Sequence, residues 1–256
     1  MKQKKIVNIC GMIGAGKTYT IKNIQKEFNK NEYLKSDECK SLMKKIEDFK
    51  FYFEIPDKNI LYNYYYYFKY NIWFKIGLIL TLFLIKIIGI DIGILLLLII
   101  FFYMPKNLCF ETQIYFLNLR IKSFLEKRKF KGLIFIDRSL EEDKIFANLQ
   151  ITNNFFTKNQ ERIYLSFFEE YSKITNESSA LYIYLKVSAN RAKLNSDLRG
   201  DNISLYYLKN LEQEYKKWEV EMKKKHAENF IVINNENNNL DLNKIYLMIN
   251  CYVSRN

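Results

Sequence analysis

The sequence predicts an α/β fold, a parallel sheet between two layers of helices, interrupted by one apolar helical hairpin. Three observations carry that expectation. Short apolar runs rich in β-branched residues alternate with segments of helical periodicity, the pattern of strands buried on both faces. The first run leads directly into a glycine-rich loop, GMIGAGKT at Gly11 to Thr18, and then into a helix. Between Ile72 and Met104 the only charged residues are Lys75, Lys86 and Asp91.

In chain order, Ile6 to Cys10 is the first strand, and Thr18 to Asn29 is a helix with Ile21, Ile24 and Phe28 on one face. FKFYFE, Phe49 to Glu54, alternates and ends before Pro56, so it reads as a strand. Gln113 to Glu126 is a helix with mixed faces. Gly132 to Asp137, Ala180 to Val187 and Asn229 to Asn234 are buried-strand signals. Glu142 to Leu149, Asn159 to Thr175, Leu205 to Lys225 and Leu240 to Tyr252 are helices. NNENNN, from Asn234 to Asn239, reads as a polar loop. No repeat or Gly/Ser linker divides the chain. One domain is expected from residues 1–71 and 105–256, with 72–104 as an insertion.

Composition narrows the function. The net charge is +12, from 40 Lys+Arg against 28 Asp+Glu, yet no basic run exceeds a few residues. The surplus therefore follows the Lys-, Ile-, Asn-, Tyr- and Phe-rich composition that AT-rich coding produces, and implies no nucleic-acid partner. Cys10, Cys39, Cys109 and Cys251 lack metal or disulfide spacing, so reduced thiols in a cytoplasmic protein are expected. His226, alone of its type and set in EMKKKHAENF, reads as a solvated surface residue. No signal peptide precedes the glycine loop.

Gly11, Met12, Ile13, Gly14, Ala15, Gly16, Lys17 and Thr18 satisfy the phosphate-loop pattern G-x4-G-K-[ST] in full. Glycines let successive backbone N–H groups turn inward around phosphate oxygens, and the helix that follows adds its positive end. Lys17 is expected on the β/γ-phosphates and the Thr18 hydroxyl on Mg²⁺. This pattern calls for ATP or GTP.

Three further segments belong with the loop: FIDRSLEEDKIFA (Phe135 to Ala147), FETQIYFLNLR (Phe110 to Arg120) and the stretch from Leu181 to Trp218. Together they resemble the deoxyribonucleoside kinase family, a branch of the phosphate-loop kinases, over most of the chain outside roughly 30–48 and 72–106. Thymidylate kinases share the Asp-Arg pair but not the IFA continuation. The resemblance implies ATP with Mg²⁺, a deoxynucleoside substrate phosphorylated on its 5′-hydroxyl, and a homodimer. It implies Glu54 as the base for that hydroxyl, with Asp37 or Glu38 as the rival. It also implies Asp137 on Mg²⁺, Arg138 on the transferred phosphate, and Gln113, Arg120 and Asp143 on the edge of the base. Tyr65, among Tyr64, Tyr66 and Tyr67, is expected on the sugar 3′-hydroxyl. Arg191 matches a lid arginine on the donor phosphates, but the next two lid arginines fall on Asn195 and Asp197, and the lid glutamate falls on Gly200. Arg199 restores an Arg-Gly pair if the loop shifts register. That departure leaves open a second reading, a weak or inactive nucleotide-binding protein of the same fold tethered to a membrane.

A single membrane crossing by residues 72–104 would put the phosphate loop and Asp137 on opposite sides, and two crossings need ~40 residues. A hairpin is expected instead, with arms Ile72 to Ile88 and Ile94 to Met104 around Gly89 to Gly93. It either dips into one leaflet as a peripheral or monotopic anchor, or packs against a partner subunit.

Overall fold

The structure, a computed structural model, describes residues 4–32, 35–46, 48–54, 92–127, 129–175, 179–201 and 203–255; for 92–108 it describes the backbone alone. Tyr65, the first arm Ile72 to Ile88 and most of the turn expected after it lie outside the described residues.

Five parallel strands form one sheet in the order β2-β3-β1-β4-β5: β1 Lys5–Cys10, β2 Phe49–Tyr52, β3 Leu133–Asp137, β4 Leu181–Lys186 and β5 Phe230–Asn234. Each matches a strand expected from sequence to within two residues. The described helices are α1 Lys17–Phe28, α2 Asp37–Lys45, α3 Ile92–Lys127, α4 Asp143–Thr152, α5 Lys158–Thr175, α6 Ala189–Leu198, α7 Leu205–His226 and α8 Leu242–Ser254. α1, α2 and α8 make one layer, and α3 to α7 make the other. Right-handed crossovers between parallel strands in this order require that division.

β1 lies at the centre, and five of its six residues are buried. Aromatic contacts close the sheet on both sides of it. Phe51 stacks on Phe135 at 4.9 Å, and Phe28 of α1 meets Phe49 edge-on at 4.8 Å. On the other side Tyr184 of β4 stacks on Tyr215 of α7 at 5.7 Å and meets Trp218 edge-on at 5.5 Å. A second cluster, including Cys109, Leu117, Leu140, Phe156 and Tyr164, fixes α3 to α4 and α5.

Three expectations are corrected. The helix expected from Gln113 begins at Ile92, so Ile94 to Met104 is its first part and runs through Pro105 without a break. His226 is 7% exposed, its ring 4.6 Å from Tyr182, because α7 turns its last residue onto β4. α2 and α6 were not foreseen as helices. Both are short and polar, and each is capped by a serine, Ser36 and Ser188, whose hydroxyl accepts a first-turn N–H. Among the described residues no helix is long and apolar enough to cross a membrane.

Ile9 is fully buried in β1. Ile9→Ala should cost about 3 kcal/mol and lower the Tm by roughly 10 °C, read by calorimetry.

Candidate active site

The phosphate loop leaves β1 at Gly11 and enters α1 at Lys17. Gly14 has φ +82°, and a Cβ there would stand 2.5 Å from the Ala192 carbonyl oxygen, so α6 packs directly on the loop. Amides from two elements hold the loop carbonyls. Asn195 of α6 donates to Gly14 O at 2.7 Å, and Asn235, just after β5, donates to Ala15 O at 3.0 Å. Asn195 and Asn238 also exchange amide hydrogen bonds at 3.0 and 3.2 Å. The run read as a plain polar loop thus supports the phosphate loop; an Asn-rich stretch gives no sign of that in sequence.

Lys17 folds back on the loop, donating to the carbonyls of Gly11 at 2.6 Å and Met12 at 3.1 Å. Burial pushes its pKa down to about 8, and Arg138 nearby adds to the effect. The Thr18 hydroxyl donates to Asp137 Oδ2 at 2.6 Å. Burial raises the Asp137 carboxyl, against the pull of Lys17 and Thr18. A hydroxyl and a carboxylate side by side, at the phosphate end of the loop, are the hard oxygen donors Mg²⁺ takes when phosphates supply the rest.

Asp137 ends β3 beside Ile9 of β1, and Arg138 follows with φ 71°, a left-handed conformation rare for a side chain with a Cβ. This turn points Arg138 across the sheet edge to Glu54, just past β2. Arg138 Nε meets Glu54 Oε2 at 2.8 Å, and Arg120 of α3 meets Glu54 Oε1 at 2.5 Å. Burial would raise the Glu54 carboxyl, but Arg120 and Arg138 outweigh it and hold it below the usual range. Asp37, by contrast, is 96% exposed on α2 and pairs with Lys40.

Gln113 and Arg120, seven residues apart on α3, both reach Asp143 at the start of α4. The Gln113 amide nitrogen donates to Asp143 Oδ2 at 2.9 Å and its backbone carbonyl at 3.3 Å. Arg120 pairs with Oδ1, and the Tyr164 hydroxyl donates to Oδ2 at 2.6 Å. Arg120 therefore joins Asp143 to Glu54 in one chain of charges. With its amide N–H groups committed, Gln113 offers a ligand its oxygen.

The residues expected in a lid divide. Arg191, in the first turn of α6, is half-buried, and its Nε has no hydrogen-bond partner among the described residues. Asp197 pairs with Lys193, and Arg199, past the helix end, pairs with Asp201 at 2.5 Å, half exposed. The structure thus brings Lys17, Thr18, Asp137, Arg138, Glu54, Arg120, Gln113 and Asp143 together and leaves Arg199 on the surface. Sequence reasoning assigned no role to Glu142, in the acidic run LEED, or to Tyr215, in EQEYKKW; both lie buried behind Arg138.

A phosphate loop at the end of a central strand, an Asp-Arg pair on the neighbouring strand and a carboxylate on the next define a phosphate-loop kinase. The chain belongs to the deoxynucleoside kinase family, whose model matches residues 7–246. Among solved structures it is similar to a deoxyadenosine kinase from M. mycoides. The form with the products dCMP and a flexible dCDP is 20% identical, with a TM-score of 0.57, covering 95% of this chain and 96% of that one. The form with dATP is 19% identical, with a TM-score of 0.58 and the same coverage. That likeness is one of fold. No curated protein matches the sequence.

Between pH 8 and 10.5 the native protein has released the Lys17 proton while the unfolded chain keeps it, so this group makes stability rise with pH in that window. Urea midpoints of wild type and Lys17→Met should therefore diverge, the wild type gaining up to about 1.4 kcal/mol per pH unit over the variant.

Proposed function

We propose that the protein transfers the γ-phosphoryl group of ATP to the 5′-hydroxyl of a deoxyribonucleoside, a reaction of nucleotide salvage. The observation that carries this reading is Glu54. Its carboxylate touches Arg138 on the phosphate side and Arg120 on the base side, so a hydroxyl bound between them lies in reach of both ends of the reaction.

Glu54, held anionic by the two arginines, orients the 5′-hydroxyl and takes its proton as the new oxygen–phosphorus bond forms. The bond from the γ-phosphorus to the β–γ bridging oxygen breaks, and ADP leaves. Arg138 offsets charge on the transferred group, and Lys17 must leave the Gly11 and Met12 carbonyls to meet the β/γ-phosphates. Thr18 and Asp137 would hold Mg²⁺, which supplies charge neutralisation between the phosphates. Gln113, with its N–H groups on Asp143 and its oxygen left as an acceptor, favours a base with an exocyclic amino group, adenine, cytosine or guanine, over thymine. Tyr65 retains its proposed place on the sugar.

A homodimer is supported by an apolar ridge: Phe167, Tyr171 and Ile174 on one face of α5, with Tyr171 reaching Asn118 on α3 and Leu125 two turns further on. Cytoplasmic placement follows the reduced-thiol composition, and a leaflet or partner contact through 72–104 rests on apolar composition.

One observation favours the second reading, a nucleotide-binding protein with little turnover. Where two lid arginines are expected, Asn195 binds the loop carbonyl and Asp197 is neutralised by Lys193, which leaves Arg191 as the lid cation. Loss of an arginine that stabilises the transition state lowers kcat by about 10³-fold or more.

ADP release with a panel of deoxynucleosides separates the two. Deoxyadenosine or deoxycytidine should exceed thymidine in kcat/KM by about 100-fold, and Lys17→Ala should abolish the signal. ATP binding without ADP release on any nucleoside would establish the second reading.

A further inference from the structure

We infer that Glu142 is a positioning residue that locks the phosphate loop and Arg138 into one frame. Its carboxylate is fully buried and lies behind the site, not in it. Oε1 accepts the Gly11 N–H at 2.8 Å and the Tyr215 hydroxyl at 2.7 Å; Oε2 accepts the Ser139 N–H at 3.0 Å. Arg138 Nη1 donates to the Tyr215 oxygen at 3.0 Å and stands 3.6 Å from Oε1. One carboxylate therefore binds the first residue of the phosphate loop, the residue after Arg138, and, through Tyr215, the guanidinium of Arg138.

The chemistry needs a carboxylate. Two oxygens accept three hydrogen bonds and still face a cation; an amide has one acceptor oxygen, and its NH2 would oppose an N–H or a hydroxyl donor. Burial, reinforced by Glu142 itself, pushes the Tyr215 hydroxyl well up, so it remains a donor to Glu142 while accepting from Arg138. A buried carboxylate is costly to desolvate, and an apolar side chain often serves stability as well. What Glu142 supplies is geometry. It ties down the Ser139 N–H directly after the left-handed Arg138, and the Gly11 N–H, where β1 ends and the loop begins.

The kcat part of this inference rests on the phosphoryl-transfer reading; the nucleotide-affinity part does not. The test measures Tm, Mg-ATP affinity by calorimetry, and kcat per folded molecule in the full chain. Glu142→Gln should weaken Mg-ATP about 10-fold and lower kcat about 100-fold, with the KM for the nucleoside within a factor of about two. Tyr215→Phe, which keeps the Gly11 and Ser139 contacts, should weaken Mg-ATP about threefold and lower kcat about 10-fold. A role confined to stability would lower Tm and leave affinity and kcat of the folded fraction at wild-type values; that result overturns the inference. Should Glu142→Gln not fold, Tyr215→Phe decides alone by the same criterion. A wild type that phosphorylates no deoxynucleoside counts against the proposed function only, and the affinities then decide for Glu142.

Discussion

Arg138 is a buried cation, and most of the site depends on how its charge is met. A guanidinium taken out of water is tolerated only when carboxylates and hydrogen-bond acceptors surround it. Glu54 does this from one side and Glu142 with Tyr215 from the other. Those partners come from the loop after β2, the turn after β3, and α7, so satisfying one side chain fixes three parts of the fold. Arg120 extends the pairing from Glu54 to Asp143, and the start of α4 is thereby set relative to the phosphate loop side. The left-handed backbone at Arg138 costs on the order of 1 kcal/mol and holds because these contacts over-determine it.

The other support of the phosphate loop is uncharged. Asn195 and Asn235 hold the carbonyls of Gly14 and Ala15, and the close approach of Ala192 leaves no room for a side chain at position 14. Two loop N–H groups are held as well, that of Gly11 by Glu142 at 2.8 Å and that of Ala15 by the Met12 carbonyl at 3.1 Å. α6 acts here as a brace for the loop.

The sheet was legible because its strands are short, apolar and β-branched, and because a phosphate loop demands strand, loop and helix in that order. That Gln113 and Arg120 share a face was legible through spacing, since residues seven apart on a helix lie on one side of it; that Asp143 joins them was implied by the family resemblance alone. Burial of polar residues was not. Glu142 lies in an acidic run and His226 in a lysine-rich one, and local charge gives no hint that either is enclosed. α2 and α6 were hidden for a related reason: short polar helices held by a serine cap and tertiary contacts carry little periodicity. The start of α3 was misplaced because Pro105 and the change from apolar to mixed composition look like a boundary, whereas one helix runs through both.

That continuity makes α3 a rod. Its 36 residues extend about 54 Å at ~1.5 Å per residue. Its apolar end begins at Ile92, and Gln113 lies roughly 30 Å along the same axis. A helix is stiff along its length, so whatever grips its first turns also aims the Gln113 amide at Asp143. The one weak joint between them is Pro105, which lacks the N–H that would bond residue 101 and so permits bending there. Gln113 and the apolar-sequence start of α3 are in this sense two ends of one lever, with its pivot about two turns from Gln113.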